Sequence, residues 1–555
     1  MDTQSKVACP AGAHTTLNHL RDLLDEHGLL AQESPRPADV PDLPVTGAAC
    51  DSRCVRAGNV FFCKGAAFKP AYLASALGDG AIAYVCTSER AGELATIAGD
   101  VPALVTSDMR KAMALVSAAA FGRPDLDLPM VGITGTKGKS TSAYMLRSII
   151  DVGACTDAGD DQAASSGLGA TPRCGIMGSI DTFDGIEDLE STNTTPEAPD
   201  LWRHLANARE AGLPAMVMEV SSQALKYDRT LGVSLDIACF LNIGTDHISP
   251  AEHPDFEDYF SSKLRIFSQC HNAVVNLGCA HLSRVLDAAA AATGPDGNAP
   301  KLLTVSAEGP EPVECGSCDE VFPDIWATDV RALGSSLEFV VHTPTWEAPV
   351  SINFPGLFNV ENALVAIACA ELLGINRNQV VAGLASCQVP GRMELVGKPG
   401  DRILCVVDYA HNTLSYRSFF ASMEREFPGR RIVALIGAPG NKAYERREEL
   451  PREAARWASH IVITEEDPGT EPNEAICAEM DANVPEREGL AHEVVLDRQQ
   501  AVARCLDVAL GYGEPALVCL LGKGDETLIH RGHEFQTMVP DAQAWREACA
   551  ERGLA

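Results

Sequence analysis

Short apolar runs alternate with stretches of helical periodicity along most of this sequence. Apolar residues that recur every three or four positions indicate helices, whereas compact apolar runs bounded by polar or glycine-rich residues indicate buried strands. Because the two kinds of segment alternate, we predict an α/β fold with parallel sheets that helices cover on both faces. The strands predicted after residue 125 are Met130–Ile133, Ala215–Met218, Ile237–Leu241, Ala273–Val275, Leu404–Asp408, Ile432–Ile436, Ile461–Thr464 and Ala516–Leu521.

The first 125 residues have a pattern of their own. A helix is predicted from Thr16 to about Gly28, because Leu17, Leu20 and Leu24 fall on one face. Two predicted strands and a helix follow, at Val60–Cys63, Ala81–Cys86 and Met109–Phe121. The pattern then breaks near residue 125 and again near residue 390, so we predict three domains, at 1–125, 126–389 and 390–555.

The segment Met130 to Thr141 carries the strongest chemical signal. A predicted strand is followed by Gly135 and Gly138, which permit a tight turn, and then by a predicted helix. Such a loop directs backbone N–H groups at phosphates, while Lys139 adds a cation and Ser140 a hydroxyl for a magnesium ion. The spacing G-x-x-G-K-S is shorter than the general G-x-x-x-x-G-K-[ST] pattern, but its place between strand and helix predicts nucleotide binding.

Polar residues follow two of the predicted strands in the middle of the chain. Glu219 comes after one strand, and Asp246 and His247 come after the next. Since the carboxyl ends of parallel strands face the ligand crevice, these side chains are expected near the phosphate loop. Taken alone, His247 is also compatible with a helix cap and Lys263 with a solvated helix. An insertion rich in Gly, Ala, Ser and Asp is predicted at residues 153–174.

Composition narrows the classes of partner. The 555 residues include 44 Lys and Arg against 76 Asp and Glu, a formal net charge of −32, which argues against a nucleic-acid or anionic-membrane surface. The 19 cysteines are scattered, and no apolar run approaches the roughly 20 residues of a membrane span. We therefore expect a cytoplasmic protein with reduced thiols and no membrane span, which acts as a monomer on small molecules.

Together, these motifs resemble those of the Mur ligases. The resemblance is greatest to the members that extend UDP-N-acetylmuramoyl-L-alanyl-D-glutamate by a third amino acid, and it covers all three predicted domains. It implies an N-terminal UDP-sugar-binding domain, a central ATP-binding domain and a C-terminal Rossmann-like domain for the amino acid. The motifs that carry it are Gly135–Thr141, Asn193–Pro196, Met218–Ser222, Asp246–His247, Lys263 with Phe267, Asn359 with Asn362, Gly391–Arg392, Asp408–His411 and Gly522–Gly524.

The resemblance also implies a reaction. ATP would convert a substrate carboxylate into an acyl phosphate, which the amino group of the incoming amino acid attacks. Lys139 and magnesium bound through Ser140 would offset the phosphate charge. Glu219, His247 and Lys263 would hold a second magnesium ion, with Lys263 converted by carbon dioxide into a carbamate, because a protonated amine repels a metal.

Two sets of binding residues follow from the resemblance. The ATP set is Gly135, Thr136, Lys137, Gly138, Lys139, Ser140, Thr141, Asn362, Arg392, Asp408 and His411. The set for the UDP-sugar peptide is Cys50, Ser52, Ala66, Ala67, Phe68, Thr194, Thr195, Ser221, Tyr227 and Arg229. Tyr227 and Gln223 depart from the residues that the family usually carries, Gln and His. Lys137 stands where relatives often have Asn, and the sequence assigns its side chain no role.

The identity of the amino acid depends on a short segment of the C-terminal region. Members that add meso-diaminopimelate commonly carry Asp-Asn-Pro-Arg, whereas this chain has Glu466, Asp467, Pro468 and Gly469 and lacks that guanidinium. A group of acids that includes Glu465 suits a side chain ending in an ammonium, so L-lysine or ornithine is favoured over meso-diaminopimelate. The other residues expected at the amino acid are Lys442, Gly522 and Glu526.

Three alternatives remain open at the level of the sequence. The same enzyme could add meso-diaminopimelate. The chain could be another Mur-type ligase or a folylpolyglutamate ligase, although the latter does not need the N-terminal domain. A third reading, from a different class, is a non-catalytic ATP-binding regulator built on the ligase fold.

Overall fold

The computed structural model describes residues 12–31, 42–65, 67–156, 173–246, 248–249, 252–315, 318–398 and 400–554. Ala66, His247 and most of the insertion predicted at 153–174 lie outside these ranges. Within them the chain forms three larger sheets, of four, eleven and six strands. The α/β fold class is therefore confirmed, while the exact domain boundaries remain predictions.

The N-terminal region is a four-stranded parallel sheet with helices packed on it. The sheet order is β3-β4-β5-β6, and Leu17, Leu20 and Leu24 are buried in its core as the periodicity predicts. Thr16 and Asp108 cap the first and last helices by accepting hydrogen bonds from backbone N–H groups. The elements are β1 (Thr15–Thr16), α1 (Leu17–Glu26), β2 (Pro44–Val45), β3 (Gly47–Ala49), β4 (Asn59–Phe62), α2 (Pro70–Gly78), β5 (Ala83–Thr87), α3 (Ser88–Ala98), β6 (Ala103–Thr106) and α4 (Met109–Ala120).

The central region is built on the eleven-stranded sheet, in the order β10-β9-β8-β11-β7-β12-β13-β14-β17-β18-β19. Strands from β8 to β17 in this order pair in parallel, and hairpin strands extend both edges. The elements are β7 (Met130–Thr134), α5 (Lys139–Thr156), β8 (Gly175–Met177), β9 (Asp181–Phe183), β10 (Asp188–Glu190), α6 (Ala198–Glu210), β11 (Met216–Glu219), α7 (Ser222–Lys226), β12 (Leu235–Phe240), α8 (Phe256–Leu264), β13 (Cys270–Asn276), α9 (Leu282–Ala291), β14 (Lys301–Ser306), β15 (Val313–Cys315), β16 (Cys318–Val321), β17 (Ile325–Ala332), β18 (Leu337–His342), β19 (Glu347–Ile352), α10 (Asn359–Leu372) and α11 (Arg377–Ser386).

The C-terminal region is a second doubly wound unit, with the sheet order β20-β21-β25-β22-β23-β24. Only the edge strand β20 is antiparallel to its neighbour within this sheet of described residues. The elements are β20 (Glu394–Val396), β21 (Ile403–Asp408), α12 (Thr413–Glu426), β22 (Arg431–Ile436), α13 (Arg446–Ala454), β23 (His460–Ile463), α14 (Asn473–Ala482), β24 (Ala491–Val494), α15 (Arg498–Gly511), β25 (Ala516–Leu521), β26 (Leu528–Arg531), β27 (Glu534–Thr537) and α16 (Asp541–Glu551).

The strand order of the central sheet determines where the phosphate loop and Glu219 lie. β7 lies between β11 and β12, and the three strands run parallel, so their carboxyl ends meet at one edge of the sheet. Glu219 is the last residue of β11 and pairs in register with Ile133 of β7. The phosphate loop and Glu219 are therefore neighbours, as expected from the sequence. Among the described residues, no helix is long and apolar enough to span a membrane.

Candidate active site

A cavity of about 630 Å³ opens between the central and C-terminal regions. It is lined on one side by the phosphate loop and on the other by the ends of C-terminal strands. The residues predicted from the sequence that line this cavity are Thr136, Lys137, Gly138, Lys139, Ser140, Thr141, Thr194, Glu219, Asn362, Arg392, Asp408, His411, Lys442, Glu466, Asp467 and Glu526. The cavity thus brings together the nucleotide and amino-acid sets that the resemblance implies.

The phosphate loop is held from outside as well as by its own turn. Asn242 accepts a hydrogen bond from the backbone N–H of Lys137 at 2.9 Å and returns one from its amide to the Lys137 carbonyl at 3.2 Å. Gly138 has φ +83°, and a β-carbon there would overlap the Asn362 side chain. The helix α5 begins at Lys139, so the positive end of its dipole faces the cavity. This loop is shaped for an anion.

A half-buried lysine, Lys139, and a buried lysine, Lys263, share one carbonyl of the loop. The ammonium groups of Lys139 and Lys263 each donate to the Gly135 carbonyl, at 3.0 and 2.9 Å. Burial lowers the pKa of Lys139, and burial together with the Lys139 charge lowers the pKa of Lys263 well below its ordinary value. The lowered pKa favours the neutral amine form of Lys263, which is the form that reacts with carbon dioxide.

Glu219 and Ser140 supply hard oxygen donors to the cavity. The Glu219 carboxylate is 1% exposed and accepts hydrogen bonds from the Ser179 backbone N–H at 2.9 Å and hydroxyl at 3.2 Å. An oxygen donor set beside phosphates suits Mg²⁺, so these two residues fit the expected cofactor. Lys263 fits a metal only as a carbamate, since its ammonium would repel a cation.

The C-terminal wall of the cavity contains the residues expected to clamp ATP. Asp408 accepts hydrogen bonds from the backbone N–H groups of Met393 and Ala410, both at 2.8 Å, which fixes the turn after β21. The Arg392 guanidinium lies 4.2 Å from the centre of the Tyr409 ring, which stacks it in place. The pKa of His411 is well below its usual range, mainly because the imidazole is buried and also because Lys137 and Arg446 are near it, so this imidazole is neutral.

The acids predicted to receive an ammonium differ in their surroundings. Glu465 pairs with Arg531, and Asp467 accepts from Lys523 at 3.1 Å. Glu466 is 6% exposed and lines the cavity, and its Oε2 atom has no hydrogen-bond partner among the described residues. Burial raises the pKa of the Glu466 carboxyl to about 7. Of these three acids, only Glu466 combines a place in the cavity lining with a buried side-chain oxygen that lacks a hydrogen-bond partner among the described residues.

Other amino-acid candidates occupy supporting positions. Glu526 pairs with Lys523, which is itself buried, and both Glu526 and Lys442 line the cavity. Gly522 has φ +106°, and a β-carbon there would lie 3.1 Å from Glu466 Oε2. Pro468 and Gly469 lie behind the cavity lining. Gly469 donates its N–H to the His530 carbonyl at 2.9 Å and so joins this loop to the hairpin β26–β27.

Two family models match the chain. The model described as Mur ligase middle domain matches residues 133–370, and the model described as Mur ligase, glutamate ligase domain matches residues 391–524. A UDP-N-acetylmuramyl-tripeptide synthetase of Lactobacillus delbrueckii subsp. bulgaricus is 34% identical over 515 residues, which cover 90% of this chain and 92% of the relative. The chain belongs to the Mur ligase family.

Further relatives agree with this assignment. The UDP-N-acetylmuramoyl-L-alanyl-D-glutamate--L-lysine ligase of Enterococcus faecalis is 33% identical over 489 residues, covering 86% of this chain and 87% of the relative. The solved structure of a UDP-N-acetylmuramoyl-L-alanyl-D-glutamate--2,6-diaminopimelate ligase matches with a TM-score of 0.60 and 24% identity, covering 96% of this chain and 99% of that chain. The expected enzyme class is therefore confirmed: this Mur ligase is a ligase with the three-domain fold of its family.

The UDP-sugar set of this Mur ligase is only partly in the cavity. Thr194 lines it and is hydrogen-bonded to Ser179, Oγ1 to Oγ at 3.0 Å. Thr195 donates to the Glu219 carbonyl at 2.8 Å, and Ser221 caps α7, so both hydroxyls have structural partners. The Arg229 guanidinium binds the Thr195 carbonyl at 3.1 Å and Glu197 at 2.9 Å.

The remaining UDP-sugar candidates of the Mur ligase belong to, or contact, the N-terminal region. The Arg110 guanidinium lies 3.8 Å over the centre of the Tyr227 ring and so covers one face of that ring. Burial raises the pKa of the Cys50 thiol to about 12, so it is a neutral hydrogen-bonding group. Arg90 lies 5.1 Å over the Phe68 ring. Within the described residues the cavity lining begins at Thr136, so Cys50, Ser52, Ala67 and Phe68 lie outside it.

Sequence reasoning missed several residues of this site. Arg446 lines the cavity and contacts Asp246 at 3.4 Å, Tyr409 orients Arg392, and Asn412 donates to Asp246 at 2.7 Å. Asn412 directly follows the recognised segment Asp408–His411, so that motif could have indicated it. Arg446 carries no local signal, because its role depends on a contact between residues 200 positions apart.

Proposed function

We propose that this Mur ligase joins a diamino acid, L-lysine or ornithine, to UDP-N-acetylmuramoyl-L-alanyl-D-glutamate with hydrolysis of ATP to ADP. The phosphate loop, the oxygen donors Glu219 and Ser140, and the C-terminal wall then form one site that activates the substrate carboxylate. The name of the Lactobacillus relative supports a UDP-N-acetylmuramyl-tripeptide as the product, and the name of the Enterococcus relative supports L-lysine as the amino acid.

The observation that carries the amino-acid assignment is the environment of Glu466. A buried carboxyl whose oxygen has no partner costs free energy unless a ligand satisfies it. The ammonium at the end of a lysine or ornithine side chain would supply a charge-assisted hydrogen bond to Oε2. Its binding would also lower the raised pKa of Glu466, because a nearby positive charge favours the ionised carboxylate.

The geometry also disfavours the distal carboxylate of meso-diaminopimelate. The guanidinium that diaminopimelate-adding members use is replaced by Gly469, whose φ of +56° suits glycine. A β-carbon at Gly469 would lie 2.7 Å from Asn441 Oδ1, so this backbone leaves little room for a side chain. Arg531, the cation on the adjoining hairpin, is already paired with Glu465.

The proposed chemistry begins with phosphoryl transfer to the substrate carboxylate. Bound Mg²⁺ would stabilise negative charge on the phosphates, held through Ser140 and Glu219, with His247 and carbamylated Lys263 as further ligands. The loop N–H groups and Lys139 would orient the terminal phosphate, and Arg392 would support the charge that develops on it. Neutral His411 and the Asp408 carboxyl group would complete the nucleotide wall.

Amide formation then follows at the C-terminal side of the cavity. The amino group attacks the acyl phosphate carbonyl, the C–N bond forms, and inorganic phosphate leaves with the electron pair of the C–O bond. Glu466 would orient the acceptor through its distal ammonium, and Glu526 would hold the reacting amino group. Positioning both reactants in one cavity supplies much of the rate enhancement.

The test is ADP formation with purified enzyme, ATP, Mg²⁺ and UDP-N-acetylmuramoyl-L-alanyl-D-glutamate, with one amino acid at a time. We expect turnover with L-lysine or L-ornithine and at least about tenfold lower kcat/KM with meso-diaminopimelate, a difference of ~1.4 kcal/mol. Turnover with meso-diaminopimelate alone would refute the amino-acid assignment. No ADP with any amino acid would favour the non-catalytic regulator. ADP formation when a folate replaces the UDP-dipeptide would favour the folylpolyglutamate alternative.

A further inference from the structure

The resemblance places Lys137 in the ATP set but gives its side chain no specific role. Its backbone is fixed on both sides by Asn242, so the position from which its side chain emerges is rigid. The side chain is 26% exposed and lines the cavity, and its ammonium lies 3.5 Å from Asp246 Oδ2. At this distance the ion pair is loose, and the flexible stem lets the ammonium reach other groups.

Asp246 has tighter partners than Lys137. The Asn412 amide donates to the same Oδ2 atom at 2.7 Å, and Arg446 contacts Oδ1 at 3.4 Å. Both partners come from the C-terminal region, and the Asp246 side chain is only 5% exposed. Departure of Lys137 would therefore leave the carboxylate with a hydrogen bond and a cation, which keeps the cost of that departure low.

The charge around the loop favours an anion as the second partner of Lys137. Lys139 already places one ammonium at the loop, where it donates to the Gly135 carbonyl, and the Lys137 ammonium adds a second positive charge close enough to interact with it. Burial, opposed in part by Asp246, lowers the pKa of Lys137 to about 8. The Lys137 ammonium lies beside Asp246, which contacts Asn412 and Arg446 of the C-terminal region, so a phosphate chain bound in this cavity would come within its reach.

We propose that Lys137 exchanges partners during the reaction, leaving Asp246 for the terminal phosphate of a bound nucleoside triphosphate. This inference rests on the proposed function for the identity of the nucleotide. It makes Lys137 a second cation for the third phosphate beside Lys139, and the two start from different partners, Asp246 for Lys137 and the loop carbonyls of Gly135 and Thr136 for Lys139. Asp246 is the positioning residue that holds the ammonium until the phosphate competes for it.

The first experiment compares nucleotides in the full-length protein. Isothermal titration calorimetry gives the Kd of Mg²⁺ with AMP-PNP and of Mg²⁺ with ADP for wild type and Lys137→Met. We expect the substitution to weaken AMP-PNP by about tenfold or more and ADP by less than about threefold, with recovery of AMP-PNP affinity in Lys137→Arg. Equal weakening of both nucleotides, or none, would overturn the proposal. Lys301→Met, an exposed lysine on β14, is the control for loss of a charge.

The second experiment asks whether Asp246 competes for Lys137. Asp246→Asn should tighten AMP-PNP severalfold in the wild-type background, since the ammonium is released from its ion pair. The gain should disappear in the Lys137→Met background. A gain of the same size in both backgrounds would mean that Asp246 acts only by its charge, and would overturn the exchange. If the wild type binds neither nucleotide, the proposed function fails instead, so the two failures are distinguishable.

Discussion

A side chain larger than hydrogen at Gly138 would overlap the amide of Asn362, across the junction between the phosphate loop and helix α10. Gly138 also adopts φ +83°, which disfavours residues with a β-carbon. The loop and the helix therefore approach each other more closely than any residue other than glycine at position 138 would allow. The two observations are independent reasons for glycine at this position.

Gly138→Ala should therefore weaken nucleotide binding. The added methyl group displaces Asn362 or opens the loop, and we expect the Kd of Mg²⁺ with AMP-PNP to rise by about tenfold or more, ~1.4 kcal/mol. The matched control is Gly92→Ala in the middle of α3, where a β-carbon meets no atom within 4 Å. That substitution should leave the Kd unchanged and raise stability slightly, by ~0.4–1 kcal/mol. Equal nucleotide affinity in both variants would contradict the argument.

Lys263 should carry a carbamate in the active enzyme. Burial lowers its pKa, so the neutral amine that reacts with carbon dioxide is more abundant at neutral pH than for an ordinary lysine. With ¹³C-bicarbonate we expect a carbamate carbonyl signal by NMR that fades as the pH falls and the amine becomes protonated. The signal should be absent in Lys263→Ala and present in Lys301→Met.

Removal of the Lys263 side chain should greatly reduce turnover without unfolding the protein. Lys263→Ala should lower kcat by about 100-fold or more, ~2.7 kcal/mol in activation free energy. Circular dichroism should report an unchanged fold, because within the described residues the Lys263 amine makes only two contacts, a hydrogen bond to the Gly135 carbonyl and a contact with the Tyr259 ring. Restoration of activity in the alanine variant by bicarbonate alone would be inconsistent with a carbamate on this side chain.

Glu466 should make acceptor binding depend on pH. The pKa of its carboxyl is raised to about 7 by burial, so the charged form that attracts an ammonium becomes populated as the pH rises through that value. We expect the KM for L-lysine to fall between pH 6 and 8 in the wild type, by up to about tenfold. In Glu466→Gln the KM should be higher and nearly flat over this interval, while the KM for ATP stays constant. The exposed Glu486→Gln serves as the control.

The same shift has a consequence for stability, with the opposite sign to that of a salt-bridged acid. Between the unfolded pKa near 4.5 and the folded value near 7, the folded protein holds a proton that the unfolded chain has lost. The free energy of unfolding should therefore fall as the pH rises through this window, relative to Glu466→Gln. Urea unfolding of both proteins at pH 4.5, 6 and 7.5 measures the difference, and parallel pH profiles would contradict the raised pKa.

Introducing the missing guanidinium should not convert the enzyme to meso-diaminopimelate. Gly469→Arg would place a side chain at φ +56° and against Asn441, and should destabilise the fold by ~1–3 kcal/mol without turnover of the new acceptor. Gly489→Arg is a matched control, because Gly489 has φ +78° but no atom within 4 Å of an added β-carbon. A larger loss of Tm at 469 than at 489 would separate crowding from backbone strain. Efficient use of meso-diaminopimelate by Gly469→Arg would contradict the expectation.

Local patterns were sufficient for the elements and for one wall of the site. The predicted strand Ala516–Leu521 is observed with the same limits, and the helix predicted after the phosphate loop is observed as α5 (Lys139–Thr156). Apolar runs and glycine turns are encoded by neighbours in sequence, which is why these predictions hold. The strands β17, β18 and β19 were not predicted, because they alternate buried with more exposed residues instead of forming compact apolar runs.

Contacts between distant segments could not be predicted in this way. The meeting of Asp246 with Asn412, and the cover that Arg110 provides for Tyr227, depend on how the regions pack. The three acids at 465–467 looked equivalent in the sequence. Their separation into two paired acids and Glu466 arises from Arg531 and Lys523, which the fold brings from later segments of the chain.

The division of the cavity between two regions has a consequence for the economy of ATP. Lys139 and Glu219 lie on the wall made by the central sheet, whereas Arg392 and Asp408 lie on the wall made by the C-terminal sheet. Under the proposed function, a phosphate loop that bound nucleotide without the second wall would lack Arg392, which we expect to support the departing phosphoryl group. We therefore expect this arrangement of the two walls to limit ATP hydrolysis in the absence of the amino acid.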